Sequence, residues 1–301
     1  MVRVILDMDP GVDDAVALAM AARSRDLEIL GVTVVSGNVY VDKGVVNALR
    51  VLDYIGMSSV DVYRGSEKPL LRDLVTSEHI HGMDGLGDSG IPISSRSARS
   101  TDAVRFLIET LSRERAFVVV TGPLTNIARA LLAEPSISGN IEELIIMGGV
   151  FGLSEYGVGN VTPYAEYNFY VDPEAAKIVI RSGVRLRIVS LDVTQNPRAR
   201  MTREISKKIL GIGSKAAELI YRITKNPIER HGHFELHDAI AMASLLDQRV
   251  VRYREAYISI DTCMERGRSI LHIEREHSDG RAYVSYSIDS ERFYEILLQL
   301  L

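Results

Sequence analysis

Apolar and β-branched positions fall in short runs that alternate with longer segments of helical spacing. Residues 2–6 are mostly apolar and β-branched, which predicts a buried strand ending in the turn Asp7-Met8-Asp9-Pro10-Gly11. Residues 12–23 are Ala-rich and predict a helix, and residues 27–35 predict a second strand closed by Ser36-Gly37-Asn38. A strand–helix–strand order of this kind builds a parallel pair. Residues 45–55 predict a helix stopped by Gly56, followed by a third strand near 60–63. Residues 64–101 lack periodicity and predict a long loop with one helical turn.

The alternation then resumes. Helices are predicted over 101–111 and 124–133, and strands over 116–120 and 143–147, with a loop over 150–171. Asp172-Pro173-Glu174 opens a helix with an acidic cap and Pro at its first position. A strand over 186–191 follows, then helices over 204–209, 214–224 and 238–246 and strands near 256–260, 269–274 and 282–288. The pattern predicts an α/β fold with a mainly parallel, Rossmann-like open sheet flanked by helices, organised as one domain over 1–301.

Composition narrows the partners. The 301 residues are 46% hydrophobic, which supplies a large core, and the net charge of −5 with no long basic block argues against nucleic acid. The single cysteine, Cys263, excludes an internal disulfide framework and reads as a small core or strand residue in a reducing compartment. No apolar run reaches the roughly 20 residues that span a bilayer. The opening MVRVILDMDP reads as strand and acidic turn rather than signal peptide, so a cytoplasmic protein is expected.

In a parallel sheet, ligands bind beyond the carboxyl ends of the strands. Four segments lie there: 7–14, Ser36-Gly37-Asn38, Thr121-Gly122-Pro123 and Met147-Gly148-Gly149. The first places Asp7, Asp9, Asp13 and Asp14 within eight residues. Any one of these is readily a helix cap, but four like charges at one strand end call for a cation, and an all-oxygen donor set suits Ca²⁺ or Mg²⁺. His237-Asp238 precedes another helix; Asp238 alone reads as a cap, while His237 could protonate a leaving group.

The ordered set of segments resembles the inosine–uridine-preferring nucleoside hydrolases. LDMDPGVDDAVA is similar to the family's N-terminal fingerprint, and Ser36-Gly37-Asn38, His79-Ile80-His81-Gly82, Thr121-Gly122-Pro123-Leu124-Thr125-Asn126, Met147-Gly148-Gly149, Ala165-Glu166-Tyr167-Asn168, Asp172-Pro173-Glu174-Ala175-Ala176 and His237-Asp238 match family segments in order. The resemblance implies calcium-dependent hydrolysis of the N-glycosidic bond of a ribonucleoside, with inversion. It implies that Asp9, Asp14, Asp238 and the Thr121 carbonyl hold Ca²⁺, and that Asp9 is the general base. Asp13 would bind the 2′-hydroxyl and Asn38 would orient the acidic group. Asn160, Glu166 and Asn168 would hold the rest of the sugar, with Met147 beside it. His237 would assist departure of the base, and His81 and Tyr221 would lie near it. Asp7 would be a support. A homo-oligomer, dimer or tetramer, is implied as well.

Residues 222–236 match the family pattern only loosely, and they and the 70–90 loop are expected to face the base, so purine or pyrimidine preference stays open. The absence of Trp argues against a purine site built from indoles, and Lys225 stands where a second aromatic is expected. The pairs His79/His81 and His231/His233 have zinc-ligand spacing, but the first strand ends in aspartates rather than histidines, and zinc is discounted. Two other classes compete. A haloacid-dehalogenase-type phosphatase would use Asp7 and Asp9 with Mg²⁺, although Pro10-Gly11 and Asp13-Asp14 are atypical for it. A non-catalytic nucleoside- or sugar-binding protein would keep the same pocket.

Overall fold

The computed structural model describes residues 1–301. In chain order the elements are β1 (Val2–Met8), α1 (Val12–Arg23), β2 (Leu27–Val34), α2 (Val41–Tyr54), β3 (Val62–Arg64), α3 (Glu78–His81), α4 (Ala103–Leu111), β4 (Ala116–Val120), α5 (Thr125–Ala133), β5 (Ile141–Met147), α6 (Tyr167–Val171) and α7 (Pro173–Arg181). They continue with β6 (Leu186–Val189), α8 (Leu191–Thr194), β7 (Met201–Thr202), α9 (Arg203–Leu210), α10 (Lys215–His231), β8 (His233–Phe234), α11 (His237–Leu246), β9 (Val251–Ile260), β10 (Ser269–His272), β11 (Gly280–Ile288) and α12 (Ser290–Gln299).

Nine strands form one sheet in the order β10-β9-β11-β6-β5-β4-β1-β2-β3, and β7 and β8 make a small separate ribbon. From β3 to β11 the neighbours run parallel; β9 is antiparallel to β11, and β10 to β9. The central strands are buried on both faces, which is why they read as apolar runs rather than alternations. Successive side chains still divide between two cores. Leu6, Val119 and Ile145 pack with α1, α2, α10 and α11 on one face, while Ile5, Val118 and Leu144 pack with α4, α5 and α7 on the other.

The chain leaves β1 for β2 on one side and later returns to place β4 on the other. The crossover direction reverses at β1, so a crevice opens beyond its carboxyl end, where Asp9 to Asp14 lie.

Several boundaries differ from the sequence expectation. Helix α2 starts at Val41, four residues early. Helix α10 passes through Pro227 and ends at Gly232, whose φ of 82° makes a left-handed stop. Pro227 lacks the N–H that would bond the Ile223 carbonyl. Gly87 backs onto that carbonyl so closely that a Cβ there would meet it at 2.1 Å, and Asn226 Nδ2 donates to the Gly87 carbonyl at 2.8 Å. The predicted strand 186–191 is shorter and turns into α8. Helices α6 and α12 were not expected. Cys263 is exposed in the β9–β10 connection, not in a strand or core.

Candidate active site

The acidic segment folds as a strand end followed at once by a helix start. Asp14, at the third position of α1, accepts the Gly11 N–H through Oδ2 at 2.9 Å and the Asn38 side-chain amide at 3.2 Å; its Oδ1 accepts the Thr121 hydroxyl at 2.6 Å. Asp9 Oδ2 accepts the Asn38 main-chain N–H at 2.7 Å, and Asp9 Oδ1 is buried with no partner. Asp13 Oδ1 is likewise buried and unpartnered. Asp238, at the start of α11, joins Asp13 and Asp14 in a buried group whose ligand oxygens lie within 4.8 Å of one another.

Burial and then mutual repulsion push Asp9 and Asp238 well above the usual carboxylate range, and Asp13 to about 8. Such a group costs free energy as a set of anions unless a cation joins it. Two unpartnered carboxylate oxygens and an oxygen-only donor set fit a hard divalent ion such as Ca²⁺.

The next wall comes from β4, β5 and α6. Asn168 Nδ2 donates to the Thr121 carbonyl at 2.8 Å and the Met147 carbonyl at 3.2 Å, tying two strand ends together. Glu166 caps α6, accepting N–H groups from Asn168 at 2.8 Å and Phe169 at 3.1 Å, and it also accepts the Gly149 N–H at 3.0 Å. Burial pushes its carboxyl up to about 7 against these three bonds. Asn160 stands exposed at the rim.

The carboxylates and this wall open onto a cavity of about 500 Å³. Asp13, Asn38, His81, Thr121, Met147, Asn160, Glu166, Asn168, His237 and Asp238 all line it, and Asp9 and Asp14 are buried in contact with Asn38 behind that lining. His81 accepts the Val12 N–H through Nδ1 at 3.0 Å, so its ring proton sits on Nε2; burial pushes it down to about 3, and it is neutral at pH 7. His237 Nδ1 lies 2.7 Å from the Thr194 hydroxyl, and burial lowers its pKa as well.

Sequence reasoning missed part of the lining. Ser77 donates through Oγ to Asn38 Oδ1 at 2.6 Å, and the Tyr167 hydroxyl donates to the Val75 carbonyl at 2.6 Å; these bonds pin the segment carrying His79 and His81 over the cavity. Gln195, Phe234 and Glu235 also face it.

Tyr221 does not. With Lys225, one turn later on α10, it lines a small separate cavity beside Arg203 and Lys207 of α9, and Phe234 supplies the aromatic surface near His81 instead, their ring centroids 6.0 Å apart. The HxH pairs form no metal-type group: His79 lies in the lining, His231 is exposed, and His233 Nε2 is 3.0 Å from Glu235 Oε1. Asp7 is fully buried away from the cavity, bound by the Thr33 hydroxyl at 2.6 Å and Asn126 Nδ2 at 2.8 Å, which removes it as a phosphatase nucleophile. Burial pushes its carboxyl up to about 7, in keeping with a support role.

Comparison with known proteins identifies the family and the fold. The family model for inosine-uridine preferring nucleoside hydrolase matches residues 4–295. The chain is 36% identical over 267 residues to the pyrimidine-specific ribonucleoside hydrolase RihB of Escherichia coli K12, covering 86% of this chain and 83% of the relative. Among solved structures, a purine-preferring ribonucleoside hydrolase from Gardnerella vaginalis superposes with a TM-score of 0.91 at 32% identity over 99% of this chain and 97% of that one. An inosine-guanosine nucleoside hydrolase gives 0.88 at 26% identity over 100% and 98%.

Proposed function

The chain belongs to the inosine–uridine preferring nucleoside hydrolase family and hydrolyses the N-glycosidic bond of ribonucleosides, and from that premise we propose a calcium-dependent mechanism with assigned residues. The observation that carries it is the buried group Asp13, Asp14 and Asp238 at the carboxyl end of β1, with the unpartnered Asp9 Oδ1 behind it. Asp9, Asp14, Asp238 and the Thr121 carbonyl would hold Ca²⁺, and the charge of Asp13 supports the same ion. Bound there, the cation supplies Lewis acidity toward water and a grip on a vicinal diol, which favours ribose over deoxyribose.

The rest is work for side chains. Asp9 Oδ1, the free oxygen, accepts a proton from the attacking water. Asp13 receives the ribose 2′-hydroxyl, and Asn38 holds Asp9 and Asp14 in place. Asn160, Glu166 and Asn168 hold the 3′- and 5′-hydroxyl side, with Met147 packed against the sugar. The acidic wall also stabilises positive charge developing on the ribose in an oxocarbenium-like transition state. In the same lining, His237 in its protonated form would donate through Nδ1 to the Thr194 hydroxyl and deliver its Nε2 proton to the departing base, ending as neutral imidazole, with neutral His81 also in the lining.

A single catalytic domain over 1–301, a cytoplasmic location and a homo-oligomer complete the reading. No helix is long and apolar enough to cross a membrane. The test is release of free ribose from inosine, guanosine, adenosine, uridine and cytidine before EDTA, after EDTA, and after calcium restoration. Calcium-restored ribose release is expected; release that survives complete chelation would overturn the metal assignment.

A further inference from the structure

The cavity lining holds one carboxylate that the mechanism above does not use. Glu235 lines the cavity with Phe234 and His237. Its Oε1 is held 3.0 Å from His233 Nε2 and 3.2 Å from Arg200 Nε, while Oε2 has no partner in the protein. Burial pushes the carboxyl up, but His237, His233 and Arg200 outweigh it and keep the group below the usual range, hence ionised. An ionised carboxylate only accepts hydrogen bonds. One oxygen is therefore anchored and the other is an acceptor facing the cavity, whose lining residues Asp13, Asn168 and Asp238 are assigned to the sugar and its metal, which leaves Glu235 for the nucleobase.

We propose that Glu235 reads the edge proton of the nucleobase. Oε2 accepts the ring N–H that uracil carries at N3 and that hypoxanthine and guanine carry at N1. Cytosine and adenine present a lone pair at the same position, and a carboxylate facing it leaves two acceptors opposed. The criterion is independent of ring size, so it cuts across the purine and pyrimidine labels of the relatives. It deepens the ribonucleoside reading of this cavity and rests on it.

The test deletes the proton from the substrate. With the unmodified, calcium-loaded enzyme, kcat/KM is compared for uridine against 3-methyluridine and inosine against 1-methylinosine, with p-nitrophenyl riboside in parallel. Methylation is expected to lower kcat/KM about 10- to 100-fold, as loss of a hydrogen bond to a charged group should. Glu235→Gln, which can present an amide N–H, is expected to narrow the uridine-to-cytidine ratio about tenfold. Methylated nucleosides cleaved within about twofold of their parents, while the nitrophenyl riboside is cleaved normally, would overturn the role of Glu235 and leave the reaction standing. No ribose from any substrate, the nitrophenyl riboside included, would overturn both.

Discussion

Asp9 and Asn38 are joined through one oxygen only: the Asn38 main-chain N–H donates to Asp9 Oδ2 at 2.7 Å, and Asp9 Oδ1 stays buried and free. The bond fixes the carboxylate and leaves free the oxygen proposed as the general base. Asp9→Asn is expected to lower kcat/KM by about 10²- to 10⁴-fold, the range for loss of a general base. Because it also removes one of several buried like charges, the variant in EDTA should melt no lower than wild type. Ribose-release kinetics and calorimetry check the two halves separately, and a variant within about tenfold of wild-type activity would remove Asp9 from the role.

The backbone at Gly37 lies close against the same carboxylate. A Cβ on Gly37 would meet Asp9 Oδ2 at 2.0 Å and Pro123 Cδ at 2.7 Å. Neither can yield easily, since Asp9 is enclosed and the proline ring is rigid. Gly37→Ala is therefore expected to displace Asp9, costing about 1–3 kcal/mol of stability as an overpacked site does. Activity should fall with it, by at least about 10²-fold if a 1 Å misplacement at the base costs its usual amount. Urea unfolding and kcat/KM are the measurements; a variant with unchanged stability and rate would show that the cradle tolerates a methyl group.

The strand ends that carry the site were readable because central parallel strands are continuous apolar runs punctuated by polar turns, as in β1 with Asp7 to Gly11 and β4 with Thr121-Gly122. The nucleobase end was not. Pro227 reads as a helix stop, yet the buried Ile220, Ile223 and Ile228 and the Asn226–Gly87 bond outweigh it and carry α10 on to His231. The face of Tyr221 could not be judged without that continuation, since its partner Lys225 lies one turn on. Phe234 and Glu235 sit on or beside a two-residue strand, too short to show any period. Helix α12 does carry a readable pattern: Phe293, Ile296 and Leu297 have helical spacing and are buried.

Chelation should reveal the cost of the acidic group as a pH dependence of stability. Asp13 is raised from 3.8 to about 8, and Asp9 and Asp238 are raised in the same direction. Between the unfolded and folded values the native state binds more protons than the unfolded one, so stability falls as pH rises. In EDTA the melting temperature is expected to drop from about pH 4 to about pH 8, with Glu166 and Asp7, each near 7, adding to the fall. Calcium binds the ionised group, so its stabilisation should grow over the same window, reaching about 2.7 kcal/mol at a hundredfold excess over Kd. An EDTA melting curve that rises with pH through this window would contradict the repulsive arrangement.

The role proposed for His237 bears on the leaving group rather than on water. Its Nδ1 is engaged with Thr194 at 2.7 Å, and it lines the cavity. A nucleobase leaves poorly as an anion and needs a proton; nitrophenolate leaves readily without one. His237→Ala is expected to lower kcat/KM on uridine or inosine by about 10²- to 10⁴-fold, the usual worth of a positioned acid. On p-nitrophenyl riboside the loss should stay within about tenfold, reflecting altered packing alone. Thr194→Val, which keeps the volume but removes the hydroxyl, should reproduce part of the same substrate-dependent loss by freeing the ring to rotate. Equal losses on the two classes of substrate in His237→Ala would mean that the imidazole positions the ribose or the acidic wall, and the proton for the base would then have to come from elsewhere in the cavity.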